Sequence, residues 1–177
     1  MKRLLALILF ILISSQAKAG MIWIAIAAEP NQITQLTQDE KSLISAFFQN
    51  KNENRVDLDK AWHGIHFLLT GTAWDTNSLK GQAILGGKEF GSEMGYGRAR
   101  LLSADEVRKI ADILDNENPQ AWSKKFDAKK MSAEQIYPDI WDEGPDALDY
   151  LITNFQDLKA FYRKAADNGF AVIAAIM

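Results

Sequence analysis

Both histidines of the chain, His63 and His66, stand three residues apart in the stretch LDKAWHGIHFLLTG, Leu58 to Gly71. At about 100° per residue, Leu58, Ala61, Trp62, Ile65, Leu68 and Leu69 gather into one apolar stripe of a helix. Asp59, His63, His66 and Thr70 gather into a second stripe, and only Lys60 reads clearly as a solvent residue. A helix apolar on more than one side is central to its fold, so the histidine stripe faces either packed core or a cleft. Asp59 and His63 are four apart, as are His66 and Thr70, the spacing at which helix side chains meet. A carboxylate beside an imidazole fixes its tautomer and raises its pKa, which suits general acid and base work. The alternative is a buried polar ladder in which each imidazole is simply hydrogen-bonded. A metal would need a carboxylate from elsewhere, because the chain has no third histidine, no cysteine and no HExxH pattern. Asp59, His63 and His66 are thus the candidate catalytic residues, and no metal or cofactor is expected.

A second candidate lies further on. Arg98 and Arg100, two apart in a predicted strand, share one face and could clamp a carboxylate or phosphate. Salt bridges to acids of nearby helices are the favoured explanation of such a pair. With the aromatics Tyr96 and Trp62, these arginines form the candidate ligand-binding set. Eight of the eleven glycines fall between Gly64 and Gly97, but they show neither a Gly-Lys-Ser/Thr ending nor GxGxxG after a strand. They read as tight turns. In YPDIWDE the acids Asp139, Asp142 and Glu143 stand beside Tyr137 and Trp141, a pattern that capping and aromatic packing account for.

The elements that must position these residues follow from pattern. GMIWIAIAA, Gly20 to Ala28, is a first strand, with Pro30 as punctuation. Thr37 to Glu40 and Ser103 to Glu106 match capping boxes that open helices. A short strand is expected near Gln82 to Leu85, then an irregular glycine loop, then the strand RARLL. Pro145 suits the first turn of a long helix, along which Leu148, Leu151, Ile152, Phe155, Leu158 and Tyr162 recur at helical spacing until Gly169. FAVIAAIM closes the chain as a buried strand. With no repeat and no composition break after Gly20, the expectation is one α+β domain over residues 20–177. Its small mixed or antiparallel sheet includes the first and last strands and is packed by several helices.

The first 19 residues have the parts of a secretory signal peptide. Lys2 and Arg3 precede the apolar run Leu4 to Ile13, and Ala17-Lys18-Ala19 supplies small residues for cleavage after Ala19. The expected location is periplasmic or secreted, without stable membrane insertion after cleavage. No cysteine is present, which excludes a lipoprotein anchor and any disulfide. Loss of Lys2, Arg3 and Lys18 takes the formal charge from −3 to −6, since that segment carries no acid. An acidic exported domain is a poor match for nucleic acid or anionic lipid.

The order of AWHGIHFLLTG, AILGGKEFG, GYGRARLLSADEV, IYPDIWDE and LKAFYRKAADNG resembles the YfbM-like family of bacterial proteins, a domain-of-unknown-function family. The resemblance runs over nearly the whole chain after the leader. Members typically begin MGM at the first strand, where Gly20-Met21-Ile22 stands here. The resemblance implies an α+β fold and no established activity, so no catalytic residue carries over. Two functional readings result. The first is an exported binding or protein-interaction module, one version being an antitoxin-like protein, with a protein partner or a small anionic ligand. The second is a small hydrolase or transferase using a cleft at His63 and His66 with the arginine clamp.

Overall fold

The computed structural model describes residues 20–48 and 53–177. The expected leader, residues 1–19, lies outside the described residues. Two apolar strands make the centre: β1 (Trp23–Ala28) pairs antiparallel with β5 (Ala171–Ile176) along its whole length. β2 (Arg55–Asp57) borders β1 at one side; β3 (Lys88–Glu93) and β4 (Arg98–Leu102) extend the sheet beyond β5. The order is β2-β1-β5-β4-β3, antiparallel throughout. Both central strands are covered on both faces, which is why they read as continuous apolar runs without alternation.

Side-chain alternation nonetheless divides the core in two. Ile24, Ile26, Ala28, Ile173 and Ala175 point to the face covered by α1 (Pro30–Gln38) and α2 (Glu40–Phe48), through Ile33, Leu43 and Phe47. Trp23, Ala25, Ala27, Val172 and Ala174 point to the larger core. That core is filled by α3 (Trp62–Thr70), α4 (Leu79–Leu85), α5 (Ala104–Asp115), the short α6 (Ala128–Ala133) and the long α7 (Pro145–Asp167). The single α+β domain is therefore as expected, and among the described residues no helix is long and apolar enough to cross a membrane.

β1 ends at Ala28 and Pro30 marks the break after it, as expected, sitting at the first turn of α1 where its missing N–H costs nothing. Three local expectations are corrected. Thr37 lies inside α1, and the residue that opens α2 is Asp39, which accepts from the Lys41 amide (3.1 Å) and the Ser42 hydroxyl (2.6 Å). Gln82–Leu85 is helical, because Ser78 caps α4 by accepting from the Gly81 amide (3.1 Å). The expected glycine loop instead contains β3, an edge strand whose side chains are largely exposed, with a register shift between Phe90 and Glu93. The Ser103/Glu106 capping box and Pro145 at the start of α7 stand as expected.

Two devices lock the helices around α3. A Cβ on Gly64 would lie 2.6 Å from Trp141 Cη2 and 2.7 Å from Leu151 Cδ2, so α3 and α7 meet at a position only glycine fits. Glu117, at the end of α5, accepts from Lys80 (2.6 Å), Lys125 (2.9 Å) and the Trp122 indole (3.0 Å). Burial alone would raise the pKa of this carboxyl, but those three donors outweigh it and draw it down to about 2.

Candidate functional site

α3 is buried from Trp62 through Leu69, the central helix its composition implies. It begins later than the apolar pattern, because Asp59 stands in the left-handed region (φ 47°) and turns the chain before the first helical residue. The expected Asp59–His63 pair is thereby broken. Asp59 Oδ2 accepts from the Tyr150 hydroxyl (2.8 Å), which itself accepts from the Lys60 amide (3.1 Å). Burial and then the Asp59 carboxylate push the Tyr150 hydroxyl well above the ordinary phenol range.

His63 is 1% exposed and fully engaged with main chain. Its Nε2 lies 3.0 Å from the Ala73 carbonyl, and its Nδ1 accepts from the Tyr137 amide at 3.1 Å. These partners assign the neutral tautomer with the proton on Nε2. Burial holds its pKa below the usual value against the opposing pull of the Ala73 carbonyl. The ring is stacked on Trp62 (centroids 4.7 Å, planes 10° apart) and covered by Trp74 at 4.5 Å. Trp62 is buried and donates from Nε1 to the Met21 carbonyl (3.0 Å).

His66 is fully buried, and neither ring nitrogen has a hydrogen-bond partner among the described residues. Burial, reinforced by nearby His63 and opposed by Asp75, lowers its pKa to about 4. The expected His66–Thr70 ring contact is replaced by a bond from the Thr70 hydroxyl to the His66 main-chain carbonyl (2.8 Å). The two imidazoles thus form no shared cleft with Asp59.

Arg98 and Arg100 do come together, around a hollow of about 10 Å³ with Trp23, Ile84, Tyr96 and the end of β5. Arg100 is already committed: its guanidinium donates to the Leu85 carbonyl (2.9 Å) and to Glu89, its cross-strand neighbour (2.9 Å). Arg98 is exposed and forms no ion pair with the described residues. Neither histidine borders this hollow.

The roomier feature is a groove of about 560 Å³ that shares Tyr96 with the hollow and is lined further by Met21, Ser132 and the loop Gln135–Asp139. Tyr96 stands at the tip of the β3–β4 hairpin, 47% exposed. Across from it the loop is fixed by buried residues. The Tyr137 amide is held by His63, the Ile136 carbonyl accepts from the Trp141 indole (2.7 Å), and the Ile136 amide donates to Met131 (2.9 Å). The Tyr137 hydroxyl accepts from the Met21 amide (3.0 Å), joining the loop to the start of β1. Gln135 (φ 56°) and Asp139 (φ 64°) both occupy the left-handed region, and the Tyr137–Pro138 peptide is cis. The left-handed backbone at Gln135 and Asp139 persists only where its surroundings over-determine it. Asp139 Oδ1 accepts from the Ser132 hydroxyl at 2.7 Å. Of the groove residues only Tyr96 belonged to the expected ligand set; the YPD run in the sequence pointed to the loop without its role. Among the described residues no three His, Asp or Glu side chains gather as metal ligands.

The profile of the family described as "Domain of unknown function (DUF1877)" matches residues 20–175. The chain belongs to this family. Protein YfbM of Escherichia coli (strain K12) is 32% identical over 127 residues, covering 68% of this chain and 75% of that protein. The crystal structure of a protein of unknown function, YfbM from Escherichia coli, superposes with a TM-score of 0.71 at 22% identity. The superposition covers 89% of this chain and 100% of the other, a likeness of fold. The groove, the His63 pin and the arginine hollow described above are accordingly features set on a DUF1877 domain, and the family description assigns none of them a role.

Proposed function

We propose that this DUF1877 protein is an exported binding or protein-interaction module whose contact surface is the Tyr96–Asp139 groove. One observation carries the reading: aromatic and polar side chains open to solvent on a loop whose main chain is fixed at Ile136 and Tyr137. Preorganised surfaces of this kind lose little freedom on binding. The leader-like residues 1–19 support export, and among the described residues no arginine or lysine lines the groove, which distinguishes it from the arginine hollow. The hydrolase or transferase reading has no comparable support. His63 spends both nitrogens on main chain, and His66 does not reach solvent. An antitoxin-like protein that blocks an incoming effector is one form of the binding reading, and a toxin-like reading frame beside this one would support it.

The test is affinity capture from periplasmic extract with the parent chain and with the double variant Tyr96→Ala, Gln135→Ala. A partner retained by the parent and lost by the variant is the expected result. Equal retention by both places the contact elsewhere, and no retained protein argues against the interaction class. Fractionation with N-terminal sequencing tests export, with Gly20 expected as the first residue of the periplasmic form.

A further inference from the structure

We propose that the groove receives a guanidinium group, the side chain of an arginine on a partner protein. The inference rests on the binding reading above and names the chemistry of its occupant. Asp139 uses one carboxylate oxygen to accept from Ser132, while Oδ2 takes no hydrogen bond and no ion pair from the described residues. Among the described residues no lysine or arginine lines the groove to neutralise it. Lys60 reaches Gly20 beside the Tyr137 hydroxyl without joining the lining, and Arg98 lines the hollow and not the groove. Tyr96, Tyr137, Pro138 and Gln135 line the same groove as Asp139.

That set matches a planar cation in each of its parts. Aromatic faces attract cations through their quadrupole, most often those of arginine. A carboxylate is the natural partner of the guanidinium fork, and a carboxamide oxygen accepts a further N–H. The net charge of −6 over residues 20–177 adds a long-range field of the same sense, favouring a basic partner over an acidic one. The left-handed backbone at Asp139 sets its Cα–Cβ direction and the Ser132 hydroxyl holds Oδ1, and asparagine tolerates that backbone as well as aspartate does. The charge can therefore be removed without disturbing the loop.

The experiment is NMR titration of the folded chain with Nα-acetyl-L-arginine amide, Nα-acetyl-L-lysine amide and N-acetylglucosamine in parallel. The parent, Asp139→Asn and, as a control on an exposed acid of α7, Asp149→Asn are compared, with a thermal melt of each to verify folding. The expected result is saturable shifts from the arginine probe at Tyr96, Gln135 and Tyr137, about fivefold weaker in Asp139→Asn and unchanged in Asp149→Asn. Preference for the lysine probe, or equal arginine binding by Asp139→Asn, overturns the guanidinium assignment. Shifts from N-acetylglucosamine alone overturn it too, while keeping the groove as a binding site for a neutral saccharide. No shift with any probe also refutes it; the capture experiment then decides the binding reading separately.

Discussion

Replacing His66 with leucine should stabilise this protein, and more so in acid. The imidazole is fully buried with two nitrogens that find no partner among the described residues. A stranded polar group of this kind costs about 1–3 kcal/mol. Leucine is of similar size, and the mismatch in shape gives back about 1 kcal/mol. The net expectation at pH 7 is His66→Leu about 1 kcal/mol more stable than the parent, a rise in Tm of about 2–4 °C for a domain of this size. The pH dependence sharpens it. The folded His66 stays neutral down to about pH 4, whereas the unfolded imidazole takes a proton near 6.5. Between those values the unfolded chain binds more protons, so the parent loses stability as pH falls. From pH 7 to pH 5 the loss is about 2 kcal/mol, and local relaxation brings it nearer 1 kcal/mol. Leucine does not titrate, so its advantage should widen by that amount at pH 5. Urea denaturation of both proteins at the two pH values measures it. His63→Leu is the contrast: it strands the Tyr137 amide and the Ala73 carbonyl and should cost about 2–4 kcal/mol. A His66→Leu protein less stable than the parent at pH 7, or a gap that does not change with pH, would show that the ring has a bonded partner and refute this account.

Two further outcomes test the frame of the domain. Glu117→Gln should cost about 2 kcal/mol by leaving Lys80 and Lys125 without their shared carboxylate. Because the folded carboxyl titrates near 2 and the unfolded one near 4.5, the parent's advantage should be intact above pH 4.5 and fade toward pH 2 in urea melts. A chain ending at Gly169 lacks β5, which lies between β1 and β4, and should be insoluble; a soluble product with a cooperative melt would overturn the sheet order.

The parts of the fold written in contiguous residues were legible. β1 and β5 are apolar runs buried on both faces, and α5 and α7 announce themselves by the Ser103/Glu106 box and Pro145. What failed was local grammar that tertiary structure reinterprets. β3 is an exposed edge and so carries no alternation to read, while QAIL becomes helical only because Ser78 caps it. The Asp59–His63 pairing assumed that a periodic stretch is helical to its first residue, and the left-handed Asp59 ends that assumption. The groove could not be read at all, because Met21, Tyr96 and Gln135–Asp139 meet only when the hairpin tip and the loop after α6 converge on the start of β1.

Trp74 gives this arrangement an optical handle. Four of the five indoles, Trp23, Trp62, Trp122 and Trp141, are sealed in the core, and Trp74 alone is 65% exposed. An aqueous quencher such as iodide therefore reaches a single emitter without any tryptophan having to be engineered out. That emitter lies against the His63 ring, whose opposite commitment is the Tyr137 amide in the wall of the groove. Light collected from one surface residue thus reads the state of a loop that other spectroscopies would have to resolve atom by atom.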